Sequence, residues 1–142
     1  MSKYIEGSCF CGKLKFHYDL PTKYVAHCHC ADCRQAHGAG FVTWAGINAE
    51  QFHLDDDSTL KWYGQIETGR RGFCSECGST LFFESKAWDG LMSVTRANLQ
   101  QDIDQEPSQH GFYDHRASWI PTISDELEQL TAADSFPAYH YL

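Results

Sequence analysis

No stretch of the chain approaches the roughly eighteen consecutive apolar residues that a membrane-spanning helix needs, and none is repetitive or of low complexity. The start, MSKYIEGSCFCG, lacks the apolar run of a secretory signal. Positive charge is scarce: eleven Lys and Arg stand against nineteen Asp and Glu, a formal net charge of -8. That balance argues against nucleic acid, whose phosphates call for a basic face, and against anionic membrane surfaces. Asp55-Asp56-Asp57-Ser58 lacks the spaced ligands and closing glutamate of a calcium loop and reads as a solvated turn. What is left is 142 residues, 42% hydrophobic and 14% aromatic, enough for one domain over 1–142 with its own core.

Cysteine, by contrast, is dense. Seven thiols without an export signal suggest a reducing, cytoplasmic setting, where clustered cysteines hold metal or do chemistry and disulfides are rare. Around them the pattern is mainly β. Lys13–Asp19, Phe41–Ile47, Thr59–Tyr63, Thr80–Glu84 and Leu91–Thr95 alternate or cluster apolar residues as strands do. Helix signals are short: Ala31–His37 and Asp125–Gln129. From Gln101 onward the pattern weakens, and loop-rich packing over the sheets is expected.

The thiols fall into three groups. Cys74-Ser75-Glu76-Cys77-Gly78 has the form of a zinc knuckle, whose glycine accepts the positive φ that lets backbone N–H groups face the sulfurs. Cys9-Phe10-Cys11-Gly12 ends the same way. Two such half-sites add up to four thiolates, a saturated and chemically quiet zinc. The third group, HCHCADCRQAHG, holds Cys28, Cys30 and Cys33 with no glycine after the last. Joining this triad to one pair would leave the other pair idle, so two ions are expected: one closed by four thiolates, one held by three with a vacant position. Three thiolates on a dication carry a net charge of -1, which blunts its acidity toward water and favours a soft ligand such as another thiolate. That points away from a hydrolase and toward a thiol substrate.

Neighbouring residues are weaker candidates. Arg34 and His37, beside the triad, could touch the site; His27 and His29 are alternative ligands, though histidines here are more often core or solvated. Arg34 is the best-placed cation for an anionic thiol, ahead of Arg70, Arg71 and Arg96. Phe41 and Trp44 could wall a pocket but sit at strand spacing.

Taken together, GSCFCGKLKF, HCHCADCRQAHG followed by FVTW, GRRGFCSECGSTLFF and MSVTRANL resemble the glutathione-dependent formaldehyde-activating enzymes, relatives of centromere protein V. The resemblance runs from about Gly7 to Trp119. It implies an Mss4-like fold, two zinc-stitched β-sheets with short helices, and two zinc ions per chain. One would be structural on Cys9, Cys11, Cys74 and Cys77. The other, of catalytic type, would sit on Cys28, Cys30 and Cys33, with its fourth position for water or a thiol. The implied activity is that of a carbon–sulfur lyase joining glutathione to formaldehyde. It also implies that His110–Trp119, the family's closing segment, lines the open zinc. The alternatives are a non-catalytic zinc-binding interaction module and a thiol oxidoreductase cycling Cys30 and Cys33, which would eject the ion.

Overall fold

Alternation shapes the strands. In Lys15–Asp19, Phe16 and Tyr18 are buried while Lys15 and Asp19 face water, the period of a sheet with one wet face. A computed structural model describes residues 3–135. Its strands are β1 (Tyr4–Ser8), β2 (Lys15–Asp19), β3 (Tyr24–Cys28), β4 (Val42–Asn48), β5 (Phe52–Asp56), β6 (Leu60–Gln65), β7 (Gly69–Cys74), β8 (Thr80–Glu84), β9 (Leu91–Thr95), β10 (Gln109–Gly111) and β11 (Glu128–Gln129). The helix α1 (Ala31–His37) joins β3 to β4. Among the described residues no helix is long and apolar enough to cross a membrane.

Strands β1, β2 and β5 form a small antiparallel sheet in the order β1-β2-β5. The others form a larger sheet in the order β11-β10-β3-β4-β9-β8-β7-β6. It is antiparallel except at one side, where β10 lies parallel to both β3 and β11. Ile5, Phe16 and Tyr18 of the small sheet share one core with Val25, Ala45, Ile47, Phe82 and Val94 of the large one. Phe16 meets Phe82 edge-on, ring centres 5.0 Å apart. Each of the larger aliphatic and phenylalanine side chains among them contributes about 1.5–3 kcal/mol, and together they fix the two sheets against each other.

This is the mainly β arrangement expected, and α1 spans the anticipated residues. The second helix is a correction. Asp125–Gln129 is a bend followed by β11, with Glu126 at φ 66°. Two interactions outside the segment explain this: β11 pairs with β10, and the Asp125 carboxylate is drawn to His110. Residues 136–142 of the expected tail lie outside the described residues.

At one position a glycine decides the packing. The Tyr24 ring lies so close over Gly46, its cross-strand partner, that a Cβ there would sit 2.0 Å from the ring. Gly46→Ala is therefore expected to cost about 1–3 kcal/mol, read as a lower denaturant midpoint at unchanged slope.

Candidate functional site

The four outer cysteines arrive on two turns. Gly12 at φ 83° and Gly78 at φ 80° follow Cys11 and Cys77, the left-handed backbone expected of both. The turn between β1 and β2 thereby meets the turn between β7 and β8. One sulfur from each of Cys9, Cys11, Cys74 and Cys77 lies within 4.8 Å of the others. Cys9 and Cys11 are 3.6 Å apart, and Cys11 and Cys74 3.8 Å. These distances exclude disulfides and match the ~3.8 Å edge of a tetrahedron with metal–sulfur bonds near 2.3 Å. The Leu14 N–H donates to Cys9 Sγ at 3.2 Å. Burial opposes the charged form of Cys77, but hydrogen bonds from Ser79 and the backbone outweigh it and bring this thiol down to about 5. The donor set fits zinc.

The triad is built differently. Strand β3 ends on Cys28, Cys30 caps α1 by accepting from the Cys33 N–H at 3.3 Å, and Cys33 is the buried residue of the helix. The three sulfurs lie within 4.8 Å of one another, and no fourth cysteine, histidine or carboxylate of the described residues joins them. Cys28 and Cys30, donating to Cys33, hold that thiol at about 3 against its burial, with the Arg71 guanidinium adding to the effect. Hydrogen bonds with Cys30 and Cys33, and then burial, push Cys28 well up. All three border a cavity of about 990 Å³, walled by Trp44, Phe83, Trp88 and Phe112, within the size range of small-molecule sites.

The profile of the glutathione-dependent formaldehyde-activating enzymes matches residues 4–115. The chain belongs to that family. A Halomonas elongata protein assigned as a glutathione-dependent formaldehyde-activating enzyme is 26% identical over 136 residues, 90% of this chain and 87% of that one. An uncharacterized lyase of Schizosaccharomyces pombe is 24% identical over 118 residues, 75% of this chain and 84% of the other. A solved Rhodobacter sphaeroides structure superposes with a TM-score of 0.58 at 21% identity, over 70% of this chain and 91% of that one. This last likeness concerns the fold.

On this formaldehyde-activating-family scaffold the arginines trade places relative to expectation. Arg34 does not reach into the cavity. Its Nε donates to the His29 carbonyl at 3.2 Å and its Nη2 to that of His115 at 3.1 Å, pinning the cysteine loop to the 3-10 turn Tyr113–His115. Arg71 of β7 is the cation at the sulfurs, its two Nη atoms 3.8 and 3.7 Å from Cys33 Sγ and its guanidinium over Phe83. Arg70, facing the other way, pairs with Glu84 and covers Trp62, and Arg96 pairs with Asp102 at 3.8 Å.

None of the three nearby histidines joins the sulfur group. His37 packs against Trp44; burial, then Arg71, lowers it to about 4. His27 Nδ1 meets Thr43 Oγ1 at 2.7 Å. His29, wholly buried, points behind the triad, its Nε2 2.9 Å from His110 Nδ1. His110 Nε2 in turn lies 2.7 Å from Asp125 Oδ2. With that N–H given to the carboxylate, His110 Nδ1 accepts from His29 Nε2–H. Burial and then the neighbouring His110 lower His29 to about 4, so it stays uncharged at neutral pH. This Asp125–His110–His29 chain is a link that the sequence reading missed. The closing segment contributes Phe112, at φ 54°, and His115 to the cavity, while Trp119 is exposed.

Proposed function

We propose that the chain is a carbon–sulfur lyase-type enzyme that takes a thiol of the glutathione type at the triad and joins it reversibly to a small aldehyde such as formaldehyde. Cys9, Cys11, Cys74 and Cys77 hold one zinc as a structural tie; Cys28, Cys30 and Cys33 hold a second. The observation that carries this reading is a set of three sulfurs bordering one cavity with no fourth protein ligand among the described residues. Zinc bound there supplies the positive charge that keeps an incoming sulfur ionised. Arg71 offsets the single negative charge that three cysteine thiolates leave on the dication, so a fourth anionic sulfur meets less repulsion. In the addition, sulfur bonds to the carbonyl carbon, the C=O π pair moves onto oxygen, and the proton lost from the thiol ends there as a hydroxyl. Family membership and relatives named for glutathione-dependent formaldehyde activation and as a lyase support the assignment.

The test is calorimetric titration of glutathione into zinc-loaded protein, followed by turnover with formaldehyde. One thiol per chain and adduct formation above the uncatalysed rate are expected. Two bound zincs with no thiol binding would overturn the enzyme reading in favour of a non-catalytic module. Arg71→Ala is expected to weaken glutathione binding about tenfold, roughly 1.4 kcal/mol, with little change in melting temperature.

A further inference from the structure

The water-facing side of the small sheet carries a second cluster of metal-binding residue types, remote from both cysteine groups and used by no step above. His17 of β2 and His53 of β5 are direct cross-strand partners. Asp19 lies two residues beyond His17 on the same face, and Asp55, the extra residue where the β2–β5 register shifts, reaches His17 on that face as well. The two rings stack with centres 4.8 Å apart. His17 Nδ1 lies 2.8 and 2.9 Å from the two Asp55 oxygens, and His53 Nε2 lies 2.8 Å from Asp19 Oδ2. One ligand atom from each of His17, Asp19 and His53 falls within 4.8 Å of the others. Glu6, the β1 partner of His17, adds a further carboxylate along the exposed side of the sheet.

The patch thus gathers two imidazole nitrogens and two carboxylates within reach of one point. A single dication suits that donor set, since imidazole binds metal uncharged and the carboxylates balance the ion. We propose that His17, His53 and Asp19 form a third metal site, with Asp55 at its side, for a divalent first-row transition ion. Mixed imidazole and carboxylate donors suit the nickel, copper and zinc class, whereas calcium and magnesium take oxygen alone. On binding, the hydrogen on each ring nitrogen that faces the carboxylates moves to the other nitrogen of the same ring, and the freed lone pair binds the ion. The ion then clamps β2 to β5 and stabilises the small sheet by mass action.

Nickel is the suitable probe, because the thiolate sites retain zinc in preference to it when preloaded. Untagged protein carrying two zinc ions per chain, any more weakly held zinc first removed by gel filtration, is dialysed against micromolar Ni²⁺, and nickel and zinc are counted per chain. One nickel per chain with zinc unchanged, and a melting temperature raised by nickel, are the expected results. His53→Gln and, separately, His17→Gln should each weaken nickel uptake by at least about tenfold and abolish the nickel-dependent rise in melting temperature. Both are surface substitutions, so the nickel-free melt of each variant reports whether the fold is intact. No nickel uptake by the wild-type chain, or uptake that survives either substitution, overturns the proposal.

Discussion

Cys74→Ala is expected to leave the chain unfolded at ordinary temperature. Cys74 is completely buried, and its sulfur meets that of Cys11 across 63 residues of sequence. The cluster it completes joins the β1–β2 turn of the small sheet to the β7–β8 turn of the large one. A structural zinc contributes about 10–16 kcal/mol of apparent binding free energy, while whole domains are stable by about 5–15 kcal/mol. Loss of one of four ligands therefore removes as much as the fold has to lose. Deleting a buried sulfur from a metal-free core would cost far less, so the size of the effect identifies the ion. Circular dichroism and zinc content of the variant, set beside wild-type protein stripped by a strong chelator, provide the check. Both should show the same loss of structure. A variant that melts within a few degrees of wild type would mean that this cluster holds no metal.

Cys33→Ser should give the opposite result: a folded protein without turnover. Cys33 lies at the edge of the core, with Cys28, Val42 and Trp44 as neighbours, and a serine there keeps its size and its place in α1. It removes the sulfur that faces Arg71 and leaves two cysteines, too few to retain a tightly held ion. Zinc should fall from two ions per chain to one, the melting temperature should change little beside the Cys74 variant, and adduct formation should drop to the uncatalysed rate. Full turnover by a one-zinc variant would sink the mechanism. Partial chelation of wild-type protein should follow the same order, the three-thiolate ion leaving before the four-thiolate one.

The contrast between these variants was legible in the sequence, because the glycines after Cys11 and Cys77, and the absence of one after Cys33, distinguish two kinds of turn. The strands Thr80–Glu84 and Leu91–Thr95 were equally plain, since their apolar content is local. Strand β3 was not seen as one, because Tyr24–Cys28 runs straight into the histidine–cysteine cluster and its alternation is lost there. Strand β10 is three residues long and owes its existence to β3, more than 80 residues earlier. A like separation hid the link from His29 to His110, while partners 15 and 19 residues away, His110 for Asp125 and β10 for β11, draw Asp125–Gln129 out of the helix its local sequence suggests. Arg34 and Arg71 show the limit most clearly: adjacency in sequence favoured the first, but β7 carries the second across to Cys33.

The parallel seating of β10 has a consequence for the order of events at the ribosome. Until residues 109–111 emerge, β3 has an unpaired outer edge, and the newborn chain presents the strand that ends on Cys28 open to strand addition by other molecules. Closure of that flank by a distant segment is a slow, non-local step. The flank beside the cysteine triad is thus completed late in synthesis, after the four-cysteine cluster, whose last member is residue 77, has had its chance to form.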